Sequence, residues 1–114
     1  MECTNVKKIN RQELHRRAYD LALDLFHSVS CDAEAVEFEI SVEIRKAAQD
    51  TVRHLAPDLD SEDALDVASG TAARLEYTLL LAKDLGLFPH VDLDDFRKRA
   101  AEIGAAARKL ISRR

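Results

Sequence analysis

Residues 76–86 read EYTLLLAKDLG. No charge falls between Glu76 and Lys83, and Tyr77, Leu79, Leu80, Leu81 and Ala82 make the stretch apolar nearly all the way round. A helix on the surface of a small domain needs only one apolar stripe. That stripe is already supplied by Ala64, Ala68, Thr71, Ala72, Leu75, Thr78, Leu79 and Ala82, which recur at three- and four-residue steps. With Leu75 set at 0°, Leu79 and Ala82 stay within about 40° of it, whereas Leu80, Tyr77 and Leu81 fall at about 140°, 200° and 240°. Those last three are predicted to look outward. Asp60 or Ser61 can cap the start of this helix, with Glu62 and Asp63 facing the positive end of its dipole. Gly86 suits the left-handed residue that closes a helix, and Pro89 prevents its resumption. A helix over 61–85 is therefore predicted, carrying more apolar surface than its own core needs.

The same periodicity appears on both sides. Leu14, Ala18, Leu21, Ala22, Leu25 and Val29 line one face of a predicted helix over 10–29. After the cap-type residues Ser30, Cys31 and Asp32, a helix over 33–55 is marked by Val36, Ile40, Ile44, Ala47, Ala48, Thr51 and Leu55, with Glu37 inside the stripe and Pro57 ending it. Leu93, Phe96, Ala100, Ile103, Ala107 and Ile111 give the last helix, 93–112, which starts near Asp92 and Asp95. Four such helices with short connections pack economically as one all-α, left-handed, up-down-up-down four-helix bundle over residues 1–114.

Composition agrees. Of 114 residues 46% are apolar and 33% charged, with three glycines, two prolines and no tryptophan, a balance that favours helices and starves turns and sheets. The length suits one core. No apolar run approaches the roughly 18 residues that span a bilayer, and no basic stretch leads into an apolar one, so a cytoplasmic protein without a membrane partner is expected. Cys3 and Cys31 lack metal or redox spacing. Charge is segregated: residues 1–17 carry +3, residues 97–114 carry +6 and the intervening chain −13, for a total of −4.

Little here supports catalysis. Ser28, Ser30 and Cys31 follow His27, but adjacency in sequence is a weak sign of a nucleophile and its base, and Ser30 reads better as a helix cap. Gly70, Gly86 and Gly104 stand alone, which excludes a glycine-rich phosphate loop. A carboxylate-bridged metal site needs two carboxylate-x-x-His pairs, and Asp24 to His27 is the single such spacing; His15, His54 and His90 have none. No catalytic residue, cofactor or metal site is expected. Arg97, Lys98, Arg99, Arg108, Lys109, Arg113 and Arg114 form the one basic concentration; Arg97, Lys98, Arg108 and Lys109 are its candidates for phosphate contacts. They surround more than one face and no aromatic residue is interleaved among them. Arg45 and Lys46 are expected to pair with Glu39 and Glu43 or across a subunit contact.

With Ile44 at 0°, Phe38 and Val42 of the second helix fall at about 120° and 160°, a second outward apolar pair. Apolar groups gathered on the outside of small proteins usually mark contacts, so Phe38, Val42, Tyr77, Leu80 and Leu81 are the predicted subunit interface. The stretches ISVEIRKAA (Ile40 to Ala48) and ARLEYTLLLAKDLG (Ala73 to Gly86), with Ala18 to Ala22 on the first helix, resemble the bacterial four-helix bundle family first noticed as proteins encoded by intervening sequences of 23S ribosomal RNA genes. Where many of those relatives carry an NIAEG-like segment, this chain reads RHLAPDL (Arg53 to Leu59). The resemblance implies an up-down bundle assembled into a homo-oligomeric ring of five subunits, with no enzymatic activity known. A distant relation, the accessory variability protein of diversity-generating retroelements, shares the ring and binds a reverse transcriptase and nucleic acid. The expectation is thus a non-enzymatic scaffold or interaction protein that partners with itself and can take an unidentified protein partner, the alternative being a nucleic-acid accessory protein acting through its basic ends.

Overall fold

The computed structural model describes residues 10–29, 35–59 and 61–112. Cys3, Ser30, Cys31, Asp32, Asp60, Arg113 and Arg114, and the expected helix start at residue 33, lie outside the described residues. Among those described there are four α-helices and no strand: α1 (Arg11–Ser28), α2 (Ala35–His54), α3 (Glu62–Asp84) and α4 (Leu93–Ser112). A single 3-10 turn, Pro57–Leu59, lies between α2 and α3.

Local chemistry sets most boundaries. The Asn10 side chain accepts the Glu13 amide at 2.8 Å, and Ser61 accepts the Ala64 amide at 3.1 Å, each satisfying a donor that the first helical turn leaves free. Asp92 does the same for Asp95 at 3.1 Å. α3 closes with Gly86 at φ 74°, its amide bonded to the Lys83 carbonyl and the Leu87 amide to the Ala82 carbonyl, the paired Schellman arrangement. Pro57 follows α2 by three residues, and the chain has already left the helix at His54.

Cross-helix bonds fix the topology. Arg11 of α1 donates to the His54 carbonyl, and Arg45 of α2 reaches the carbonyls of Phe26 and Val29, so α1 and α2 run antiparallel. The Thr51 and Thr71 hydroxyls share a hydrogen bond of 2.8 Å, while the Phe88 amide just beyond α3 donates to Glu37 at the start of α2, so that pair is antiparallel too. Lys83 to Asp94 and Arg108 to Ser69 orient α4 against α3, and Arg99 to Asp24 ties α4 back to α1. Each helix packs on its neighbours in sequence and α1 on α4, an up-down-up-down bundle of 45 × 30 × 20 Å.

The core follows the apolar stripes, with instructive exceptions. Leu14, Leu21, Leu25, Ile44, Leu55, Leu75, Leu79 and Ile103 are buried together. Val36, expected inside, is exposed, because it lies about 80° from the stripe's centre in the first turn of α2. Ala22, Ile40, Thr71 and Ile111 are half-buried at the edges of the core. Ser41, Leu65, Ser69 and Gly104 are buried without having been expected there. Ser41 satisfies its hydroxyl on the Phe38 carbonyl of its own helix at 2.8 Å. Glu37 belongs to the stripe for a polar reason: its carboxylate accepts the Phe88 amide, and Phe88 holds φ 52° with its side chain buried. Left-handed backbone before a proline is costly for a phenylalanine, and ring burial plus this hydrogen bond hold it there.

Candidate interaction surface

Four of the five predicted interface residues are exposed: Phe38 by 46%, Val42 by 39%, Tyr77 by 67% and Leu81 by 38%. Leu80 differs. It is half-buried, and about 20° from Ser69 around the helix, which places it on the side of α3 that meets α4. The outward apolar row of α3 consists instead of Tyr77 and Leu81, continued by Leu85 at the helix end.

Phe38 and Val42 lie on a different side of the molecule from that row. They share a flank of α2 with Arg45, Gln49 and Val52, all within about 80° of one another around the helix. Gln49, Val52 and Arg53 of this flank, with Tyr19, Ala22, Leu23 and Phe26 of α1, line an open groove of about 350 Å³. Tyr19, Leu23 and Phe26 were not among the expected interface residues, yet their i, i+4, i+7 spacing is a second apolar stripe on α1, visible in the sequence beside the core stripe. No carboxylate is among the residues that line the groove, and Arg53 stands exposed on its edge.

Arg45 has a role other than the expected pairing with Glu39 or Glu43. Its guanidinium sits 4.1 Å from the centre of the Phe26 ring and donates to the carbonyls of Phe26 and Val29 at 3.4 and 3.2 Å. A cation here satisfies carbonyls that the end of α1 leaves free, faces the negative end of the helix dipole and gains from the ring. It also fixes Phe26 at one end of the groove.

The basic residues of α4 do not converge. Arg97 pairs with Asp94 at 2.9 Å, Arg99 with Asp24 at 2.9 Å, and Arg108 donates to Ser69 at 3.3 Å. Lys98 and Lys109 face outward, but eleven residues of helix put them about 16 Å apart, with exposed Glu102 between them on that side. Arg97 and Arg108 lie on the α3 flank and Lys98 and Lys109 on the outward face, so the four candidates for phosphate contacts are divided between two sides of the helix, while Arg99 lies on the α1 flank.

Asp24 is held by Arg99 and His27 is exposed, and among the described residues no three His, Cys, Asp or Glu side chains gather to hold a metal ion. No described helix is long and apolar enough to cross a membrane. Comparison with protein families, with curated proteins and with solved structures returns no match for this chain.

Proposed function

We propose that the chain is a non-enzymatic, homo-oligomeric scaffold or interaction protein, assembled through the apolar surface its bundle leaves uncovered. One observation carries this reading: two separate apolar surfaces, the α1/α2 groove with Phe38 and Val42 beside it, and the Tyr77–Leu81 row of α3, are both exposed on a single small body. Two unlike patches on different sides of one subunit suit a repeated head-to-tail contact, which closes into a ring when the rotation allows. Burying them also adds stability, because association removes more apolar surface from water than one small core can. The resemblance of ISVEIRKAA and ARLEYTLLLAKDLG to the bundle proteins of 23S ribosomal RNA intervening sequences supports the same reading and gives five as the subunit number. A cytoplasmic location accords with it.

A nucleic-acid accessory role through the basic ends has less support, since Arg97, Arg99 and Arg108 are engaged within the bundle and Lys98 and Lys109 stand apart. Light scattering after gel filtration tests the proposal. An oligomer is expected, and a 12.8 kDa monomer at every concentration would overturn it.

A further inference from the structure

The connection from α3 to α4, residues 85–92, reverses the chain with two residues of positive φ, Gly86 at 74° and Phe88 at 52°. Glycine takes that backbone freely. Phenylalanine does not, and among the described residues Phe88 is the one non-glycine residue that holds it. Pro89 follows at once, and the Val91 amide closes the turn on the Phe88 carbonyl at 3.0 Å. Apart from burial of the Phe88 ring, the turn is tied to α2 by a long hydrogen bond, from the Phe88 amide to Glu37 at 3.3 Å. Beside it lies an open hollow of about 300 Å³, with Lys83, Leu87, Pro89, Val91 and Asp94 among the residues that line it.

The helix that this connection delivers is, by contrast, well seated. Asp94 meets Lys83, Arg108 meets Ser69, Arg99 meets Asp24, and Gly104 lies against Ala72. None of these contacts requires α4 to belong to the same chain as the α3 and α1 it packs on, because a second copy offers identical partners. Only the connection differs between an α4 folded back on its own bundle and an α4 seated in another. A short, strained connection leading to a well-fitted element is the condition under which copies trade that element.

We propose that copies of this chain exchange α4, the connection opening so that Phe88 leaves its left-handed backbone and the helix seats against α3 and α1 of a second copy. This inference rests on the homo-oligomer reading and gives the assembly a contact made of core as well as surface. Passed on in one direction from copy to copy, the exchange is a head-to-tail contact and closes in a ring as such contacts do.

A disulfide reports whose α4 lies on whose α3. A Cβ at Gly104 would stand 3.5 Å from the Ala72 Cβ, a separation that a disulfide spans. Ala72→Cys and Gly104→Cys are placed in a chain carrying Cys3→Ser and Cys31→Ser. Heavy-isotope and ordinary chains are unfolded together, refolded reduced at high concentration, diluted and oxidised, and the links between positions 72 and 104 are read by mass spectrometry. Links joining a heavy to a light chain are expected, approaching half of the total. Refolding at low concentration should reduce them roughly tenfold or more, since exchange follows mass action. Inserting two glycines after His90 lets the turn close without a left-handed Phe88, and should reduce them as much at high concentration. A second measurement needs no cysteines: heavy and light oligomers of the parent, mixed after folding, should trade subunits only as fast as the bundle unfolds.

Links confined to single chains, in a parent that light scattering shows to be oligomeric, would overturn the exchange and leave the homo-oligomer reading standing. So would subunits that trade far faster than they unfold. Heavy-to-light links undiminished by the inserted glycines would overturn the strained turn as their cause. A parent that is monomeric at every concentration would overturn the homo-oligomer reading itself.

Discussion

The α3/α4 and α1/α2 pairs are built from the same kind of amphipathic helix and end differently. Between α3 and α4 small residues bring the backbones together: Gly104 lies against Ala72, where an added Cβ would stand 3.5 Å from the alanine Cβ and 3.9 Å from the Ser69 carbonyl oxygen. Lys83, Asp94, Arg97, Arg108 and Ser69 then bind that seam from outside. Between α1 and α2 the outward positions carry Tyr19, Leu23, Phe26 and Val52, and the space over them stays open. Small side chains and ion pairs finish one surface, whereas large apolar side chains leave the other in need of a cover. The extra apolar content of a short chain is thus informative by where it sits, not by how much there is.

The widest contrast is between two leucines. Leu79 is fully buried and in the core cluster, so Leu79→Ala should destabilise the subunit by about 2–5 kcal/mol through lost transfer energy and the cavity left behind. Leu23 is 42% exposed on the groove floor, and Leu23→Ala should shift subunit stability by less than about 0.5 kcal/mol. Chemical denaturation at concentrations too low for assembly measures both. Equal losses at the two sites would mean that the groove is part of the subunit core.

Much of this was legible in the sequence. The expected helices 10–29 and 61–85 exceed α1 and α3 by one residue at either end and 93–112 coincides with α4, because Asn10, Ser61, Asp92 and Gly86 carry the start and stop chemistry in their own side chains or backbone freedom. Stripe positions near the middle of a helix also went where period 3.6 sends them. The errors have two causes: Leu80 is half-buried because it lies on the side of α3 that meets α4, and Val36 is bare because it sits at the edge of its stripe in the first turn of α2. Arg45 could not be assigned from its neighbours in sequence, since its partners Phe26 and Val29 belong to the preceding helix. As for the groove, a search confined to the core stripe of α1 passes over Tyr19, Leu23 and Phe26, although their spacing is as regular as that of the core.

A smaller effect sharpens the description of the α3/α4 seam. A Cβ at Gly104 would meet the Arg108 guanidinium at 3.4 Å and Ala72 at 3.5 Å, which is ordinary contact, and nothing comes closer. Gly104→Ala should therefore stabilise the bundle by about 0.5–1 kcal/mol, the helical preference of alanine over glycine. Gly104→Leu has nowhere to put its branch and should cost about 1–3 kcal/mol through overpacking. Thermal or urea unfolding of the pair decides it. Should both variants be neutral, the seam is looser than its small residues imply.

The smallest expected effect is electrostatic and lies on the outside of the same seam. Hydrogen bonds from Lys83, then from Arg97, favour the ionised form of the Asp94 carboxyl and hold it below its ordinary value of 3.8. Because the folded-state value is depressed, the ionised group contributes stability above the unfolded value of 3.8, and that contribution is lost as the pH falls through the folded value. Both partners are largely in water, Lys83 with 48% and Asp94 with 57% of the side chain exposed, so screening keeps the contribution slight. Asp94→Asn should lower the urea midpoint a little at neutral pH and low salt. The difference from the parent should shrink in about 1 M salt and disappear once the pH has fallen through the lowered folded value, where the parent's carboxyl is protonated as well. A difference that persists unchanged at both extremes would show that Asp94 acts through hydrogen-bond geometry at the start of α4, and that the ion pairs over the seam contribute nothing to holding α3 and α4 together.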